Sequence, residues 1–402
     1  MKNYSRHSPD FLVDTLGLDH LRSLAIIGTG KNAGKTTVLN HILGVVRRMK
    51  HKRIVAVTSI GLDGEDEDLV TGGVKPRIYL SEGTLLVTAS GTLSKADAVI
   101  ELLTLTEIHT AAGEIVIGRT RTNGYVELAG PSIARDLATC ERSCRVIEDD
   151  CLFIVDGALS RKSSAGGGLT ESVILVAGAA NASSLEELAA ETARQVSFLS
   201  LPSLNVSAKK QFDNAIKEHP KNRVFFLEES DVNASGSCEG KAEQQVDMPD
   251  LGSGPQSAPR VETFTPQCCV PREMAKRIRS LPLLSIIGEG KAIADELRKG
   301  DTVLLLRGAI TDNVLAPLLS DSAFSDMTLV AEDGTRFFLS DKVMQQLRHR
   351  SIELAVLSEL SLPLICVNPM RRDGSIVCRE DILAAIESVV DVPVCELGPA
   401  LV

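Results

Sequence analysis

The chain has 402 residues, of which 44% are hydrophobic, and its 43 basic and 53 acidic residues give a net charge of −10. This balance disfavours a nucleic-acid partner, because phosphate binding relies on basic surface, and with 3% aromatic residues and no Trp little is left for stacking on bases. The length predicts about two to three domains.

Residues 1–20 are predicted to be an N-terminal extension. They contain no apolar core of signal-peptide length, and no apolar run in the chain approaches the roughly 20 residues that cross a bilayer. The nine cysteines form no CxxC pair, which suits reduced thiols. We therefore expect a cytoplasmic protein without a membrane partner.

The first predicted strand, residues 24–27, runs into a Gly-rich turn and then a helix with apolar residues at helical spacing. The turn ends in Gly34, Lys35 and Thr36, as in phosphate-binding loops. There, backbone N–H groups surround the β-phosphate, the lysine reaches the β- and γ-phosphates, and the hydroxyl ligates Mg²⁺. The phosphates lie at the positive end of the helix.

The match to the phosphate-loop pattern is a variant, because Thr29 stands where the pattern has its first glycine. Lys31 lies four residues before Lys35, one residue short of the spacing of an extra lysine in some dimeric phosphate-loop proteins, and is a second candidate for phosphate contact. The predicted nucleotide-binding residues are Gly28, Thr29, Gly30, Lys31, Asn32, Ala33, Gly34, Lys35, Thr36 and Thr37.

Two aspartates follow later strands and are candidates for metal chemistry. A strand at residues 53–57 precedes an acidic loop with Asp63, at the edge where open α/β sheets bind ligands. This residue is a candidate for Mg²⁺ binding or for orienting the attacking water, with a solvated loop as the alternative. Asp156 follows the predicted strand 152–155, as does the aspartate that holds Mg²⁺ in nucleotide hydrolases, although a turn residue is the alternative.

The candidate catalytic residues are Lys35, Asp63 and Asp156, and the candidate metal ligands are Thr36 and Asp156. The cofactors that these residues predict are ATP and Mg²⁺, with GTP open in place of ATP.

Further strands are predicted at residues 84–87, 114–117, 172–176 and 224–227. Their alternation with helical stretches predicts an α/β phosphate-loop NTPase domain over residues 21–227, with a mostly parallel sheet. In residues 228–269 the composition changes to Gly, Ser, Gln, Pro and acidic residues, which predicts a flexible linker or insertion.

Apolar periodicity returns after the predicted linker. It indicates strands at residues 301–309, 327–331, 352–357 and 364–367 and a helix at residues 381–389. Residues 270–402 are therefore predicted to form a second, smaller α/β domain.

Seven segments, taken in order, resemble the reactivating-factor subunit associated with adenosylcobalamin-dependent lysine 5,6-aminomutase. They read IIGTGKNAGKTT (26–37), TSIGLDGE (58–65), GYVELAGPS (124–132), IVDGALSRKS (154–163), TES (170–172), RGAITD (307–312) and EDGT (332–335). The resemblance covers most of the chain outside about the first twenty residues and residues 228–266. Only the phosphate loop is specific by itself, and the ordered set carries the resemblance.

This resemblance implies an ATPase that works with a second, mismatch-repair-like ATPase subunit. Together they would use ATP and Mg²⁺ to restore an aminomutase whose cobalamin is damaged during radical turnover. Lys35, Thr36 and Asp156 take the nucleotide and metal roles in this scheme, and no motif identifies a cobalamin contact.

Two other hypotheses remain open from the sequence. In the first, the protein is a phosphate-loop ligase or kinase that acts on a small molecule, with Lys31, Arg119, Arg121 and Arg161 as candidates for substrate contacts. Structural ion pairs are the alternative role for these arginines. In the second, it is a nucleotide-gated scaffold that hydrolyses ATP very slowly.

Overall fold

The computed structural model describes residues 9–49, 53–60, 77–157, 170–230 and 275–396. Its α-helices are α1 Pro9–Leu16, α2 Lys35–Arg48, α3 Ala134–Ile147, α4 Leu185–Leu199, α5 Val206–Glu218, α6 Gly290–Asp295, α7 Asp312–Ser320, α8 Asp341–His349 and α9 Arg379–Glu387. Its strands are β1 Ser23–Gly28, β2 Val55–Ser59, β3 Ile78–Leu80, β4 Leu85–Ala89, β5 Ile100–Thr110, β6 Gly113–Thr120, β7 Gly124–Val126, β8 Leu152–Asp156, β9 Ser172–Gly178, β10 Val224–Ser230, β11 Ala275–Leu281, β12 Asp301–Leu306, β13 Ile310–Thr311, β14 Thr328–Ala331, β15 Phe337–Phe338, β16 Glu353–Val356, β17 Ser361–Asn368 and β18 Val394–Glu396.

A nine-stranded sheet in the order β18-β17-β9-β1-β8-β2-β4-β6-β5 dominates the described part of the chain. All neighbours from β18 to β4 are parallel, whereas β6 pairs antiparallel with both β4 and β5. The mixed α/β class and the mostly parallel character of this sheet agree with the prediction. The central position of β1 places its carboxyl end in the middle of one sheet edge.

Strand β1 is buried along its whole length because helices cover both faces of the nine-stranded sheet. Leu24 and Ile26 belong to a core that includes buried residues of α1 and α2. Ala25 and Ile27 point to the other face, in a core with buried residues of α3, α4 and α9. The apolar run that predicted a buried parallel strand therefore reflects burial on both sides.

A second, five-stranded sheet has the order β11-β10-β12-β14-β16. Strands β12, β14 and β16 are parallel, and β10 is antiparallel to both β11 and β12. Helices α6, α7 and α8 cover one face of this sheet, and α5 covers the other. Two short ribbons, β3–β7 and β13–β15, complete the described strands.

The strands are not divided between the two sheets at the domain boundary that the composition suggested. Strand β10, expected in the first domain, pairs in the five-stranded sheet, and β17 and β18, expected in the C-terminal domain, extend the nine-stranded sheet next to β9. A buried strand reads as an apolar run whichever sheet it joins, so the run does not specify its partner. In chain order, the strands of the five-stranded sheet thus lie between β9 and β17, which are neighbours in the larger sheet.

Other boundaries differ locally from the prediction. Within the predicted N-terminal extension, Leu12 and Leu16 of α1 are buried in the core beside α2. Strand β10 continues to Ser230, so residues 228–230 of the predicted linker are strand, and the rest of that linker lies outside the described residues. Strand β5 was not predicted, because this edge strand mixes polar residues with leucines that remain exposed.

No helix in the described residues is long and apolar enough to cross a membrane.

A fragment of residues 1–227 tests the interleaved topology. We expect it to lose cooperative thermal unfolding, because β9 loses its pairing with β17 and α4 loses its packing against α9. Circular dichroism melts of the fragment and the full chain provide the comparison.

The matched control is the full chain cleaved at a protease site inserted between residues 233 and 259. Its two pieces should stay together on size-exclusion chromatography, since each holds strands of both sheets. A fragment that melts cooperatively at the temperature of the full chain would contradict this topology.

Candidate functional site

The Gly-rich loop, residues 29–34, joins β1 to α2 at the centre of the nine-stranded sheet. The parallel register aligns Ile26 with Asp156 of β8 and Gly28 with Val176 of β9. The first loop residue, Thr29, donates a hydrogen bond of 3.0 Å from its N–H to the Val176 carbonyl of β9. Since the strands are parallel, their carboxyl ends meet around this loop, where ligands of open α/β sheets collect.

Close backbone packing accounts for the glycines of this region. Gly34 has φ +104°, a left-handed conformation that favours glycine, and a Cβ there would lie 2.8 Å from Asn368 Nδ2. A Cβ on Gly30 would lie 2.7 Å from Asn181 Oδ1. The loop therefore lies directly against two asparagine side chains, one after β9 and one at the end of β17.

Lys35, the first residue of α2, turns its side chain back over the loop. Its Nζ donates a hydrogen bond of 3.2 Å to the Gly30 carbonyl. The N-cap residue of α2 is Gly34, which has no side chain to bond the first N–H groups, and the first turn of the helix carries no acidic residue. The ammonium and the first N–H groups of the helix thus form a positive region suited to an anion.

Thr36 and Asp156 come together from α2 and β8. The Thr36 hydroxyl donates to Asp156 Oδ2 over 3.4 Å, and the N–H of Gly157 bonds to the Ile26 carbonyl and fixes the end of β8. A hydroxyl beside a carboxylate supplies the oxygen ligands that Mg²⁺ prefers. No cluster of three or more His, Cys, Asp or Glu suited to a metal occurs in the described residues. Phosphates and water would therefore have to complete the coordination of a metal ion here.

The remaining candidates occupy different environments. Lys31 and Asn32 are exposed at the tip of the loop, whereas Ala33 is buried against Gly178. A Cβ added to Gly178 would lie 2.6 Å from the Ala33 Cα. Thr37 follows Thr36 in the first turn of α2. Asp63 lies outside the described residues.

The arginines of the ligase or kinase hypothesis lie away from the loop. Arg119 of β6 pairs with Glu148 over 2.6 Å, and Arg121 pairs with Glu101. Strand β6 is separated from β1 by β8, β2 and β4. The structure therefore places these two arginines in ion pairs outside the site, and Arg161 lies outside the described residues.

Sequence reasoning did not single out Asn181, and it did not connect Asn368 with the loop. The Nδ2 atom of Asn181 is buried and has no hydrogen-bond acceptor among the described residues. Asn368 accepts a hydrogen bond from the Met370 N–H, which directs its Nδ2 group toward Gly34. Each asparagine follows an apolar strand in the sequence, but only the position of β17 next to β9 shows that both reach the same loop.

Comparison with known proteins identifies no relative. No protein-family model matches the chain, and no curated protein and no solved structure is significantly similar to it. Function is therefore inferred from the residues and their geometry.

Substitution Gly34→Ala should lower the free energy of unfolding by about 1–3 kcal/mol, because the new Cβ meets Asn368 at a left-handed backbone position. Urea denaturation of Gly34→Ala and of the parent measures the loss. Gly17→Ala is the matched control for backbone strain, since Gly17 also has positive φ but has open space around its Cβ.

The double variant Gly34→Ala/Asn368→Ala should recover the part of the loss that comes from the steric contact. Equal losses for Gly34→Ala and Gly17→Ala would show that Asn368 does not restrict this position.

Proposed function

We propose that the protein is a phosphate-loop NTPase that binds ATP with Mg²⁺ at the loop between β1 and α2. The observation that carries this proposal is the arrangement of three side chains at one sheet edge. Lys35 folds over the loop, and Thr36 contacts Asp156 of the neighbouring strand. A cation for phosphate oxygens and a hydroxyl–carboxylate pair for Mg²⁺ are what this chemistry requires.

The loop can exchange its internal contacts for phosphate contacts. The Lys35 ammonium now bonds to the Gly30 carbonyl, an interaction that a β- or γ-phosphate oxygen can replace with a stronger, charge-assisted one. The N–H groups at the start of α2 face the same region. Asp156 would then hold the metal, directly or through water, and Asp63 remains our candidate for a second metal contact or for orienting the attacking water.

We further propose that ATP hydrolysis drives reactivation of a cobalamin-dependent aminomutase of the lysine 5,6-aminomutase type, together with a second, mismatch-repair-like ATPase subunit. The ordered set of resembling segments supports this partner assignment. Release of a damaged cofactor requires a ligand that binds the open mutase more tightly than the closed one, because only differential affinity shifts such an equilibrium. Nucleotide state would supply that difference.

The cysteines support a reducing location, which we propose to be the cytoplasm. Six cysteines in the described residues are free thiols. Burial raises the pKa of the Cys140 thiol to about 12, with a smaller contribution from Asp136, so this thiol stays protonated and unreactive at neutral pH.

Replacing Lys35 by Ala should weaken MgATP binding about 10- to 100-fold, because a hydrogen bond to a charged group contributes roughly 1.5–3 kcal/mol. Isothermal titration calorimetry measures the affinity. The matched control is Lys31→Ala, which removes an exposed cation from the same loop and should have a smaller effect.

Asp156→Asn is titrated in the same way. It should bind nucleotide but lose Mg²⁺-dependent hydrolysis, since the amide keeps the shape of the side chain and removes its charge.

Parental affinity for MgATP in Lys35→Ala would overturn the assignment of the site.

The partner proposal predicts that an inactivated aminomutase accelerates phosphate release by this protein together with its second subunit. Phosphate release is measured with inactivated mutase, with intact mutase and without mutase. Recovery of mutase activity should require ATP and fail with Lys35→Ala. ATP consumption that depends on a metabolite, with no response to the mutase, would instead support a ligase or kinase.

A further inference from the structure

A short β-hairpin follows β17 next to the Gly-rich loop. It comprises residues 368–377 and is closed by the bridge between Met370 and Ile376. Backbone hydrogen bonds from Arg371 to Ser375 (2.9 Å) and from Val377 to Pro369 (3.0 Å) hold its two arms together. The hairpin therefore has a defined shape in the described structure.

Two further contacts fix the hairpin to the site. Asn368, at its base, lies against Gly34 of the loop. The Arg372 guanidinium donates from Nε to the carbonyl of Ala180 over 2.7 Å, which ties the hairpin tip to the segment that carries Asn181. The hairpin and Asn181 thus form one surface beside the Gly-rich loop.

The hairpin presents two large apolar side chains to solvent. Met370 is 54% exposed and Ile376 is 72% exposed. As partners in an antiparallel bridge, they lie on the same face of the hairpin. Apolar side chains held side by side in this way are available to a ligand with a flat apolar face.

The orientation of a bound nucleotide follows from the position of the metal-binding pair. Thr36 and Asp156, which would hold the metal, lie on the β8 side of the loop, and in phosphate-loop sites the metal would neutralise charge at the terminal phosphates. The γ-phosphate therefore belongs on the β8 side. The α-phosphate and the nucleoside extend to the opposite side, where β9 and β17 end.

We propose that the hairpin of residues 368–377 is the nucleoside-binding surface of the site. Met370 and Ile376 pack against one face of a purine base, and the amide groups of Asn181 and Asn368 contact polar atoms of the nucleoside. Ligand sites combine apolar contact with a few placed polar groups in this way. Residues 368–377 include no Phe, Tyr or Trp, so aliphatic side chains would provide the packing on this surface.

The test compares ligands with and without a nucleoside, because the inference rests on the proposed phosphate site. The double variant Met370→Ser/Ile376→Ser removes both apolar side chains at exposed positions, and Ile376→Ser alone is the milder second variant. The matched control is Val146→Ser, which replaces an 88% exposed residue on α3. Calorimetry measures the binding of MgATP, MgGTP and magnesium tripolyphosphate to each protein.

We expect the double variant to bind the preferred nucleotide about tenfold or more weakly, because the short serine side chains cannot pack against the base, while its affinity for tripolyphosphate stays unchanged. Val146→Ser should match the parent with every ligand. Unchanged nucleotide affinity in the double variant, or an equal decrease in affinity for nucleotide and tripolyphosphate, would overturn the nucleoside surface alone. A parent protein that binds neither tripolyphosphate nor nucleotide would overturn the phosphate site as well.

Discussion

The site depends on the close approach of one loop backbone to the carboxyl ends of its neighbouring parallel strands. Gly30 and Gly34 allow Asn181 and Asn368 to lie against the loop, and Gly178 at the end of β9 allows the loop residue Ala33 to lie against that strand. A Cβ at any of these three glycines would overlap its neighbour, so the close approach of the loop to these segments requires glycine at each position.

The inserted five-stranded sheet is connected to this edge through α4. This helix follows β9 in the chain, and its Leu188 belongs to the core of the nine-stranded sheet. Its penultimate residue, Phe198, belongs instead to the core of the five-stranded sheet, where it stacks on Phe337 with ring centroids 5.5 Å apart. One helix therefore contributes side chains to both cores, and the two sheets share a structural element next to the site.

The sequence predicted the parts of the fold that burial on both sides makes distinctive. Strands such as β1 and β8 were confirmed nearly to the residue, since their continuous apolar runs have few other interpretations. The partners of β10 and β17 could not be predicted, because an apolar run does not state which sheet it enters. Edge strand β5 was missed because its exposed leucines and polar residues give no regular burial pattern.

In the candidate site too, some residues can be recognised from the sequence around them, whereas others can be found only once the strand neighbours are known. Lys35 and Thr36 were recognisable because the phosphate-loop pattern is contiguous, and Asp156 because it ends an apolar strand. Asn181 and Asn368 also follow apolar strands, but nothing in the sequence near them indicates the loop that they contact. Their proximity to the loop follows only from the parallel neighbours β1, β9 and β17, which three distant parts of the chain supply.

Under the proposed function, this topology determines where nucleotide state can act. A nucleotide that contacted Asn181 would touch the segment that leads from β9 into α4, and α4 packs Phe198 into the core of the five-stranded sheet. Asn368, at the carboxyl end of β17, is followed by the hairpin and α9 and so belongs to the nine-stranded sheet. Since a ligand changes a conformational equilibrium only through differential affinity, nucleotide contact at Asn181 would act on the inserted sheet only where the nucleotide binds one position of α4 more tightly than another. Under the proposed function, α4 is accordingly the element through which nucleotide state would reach the inserted sheet.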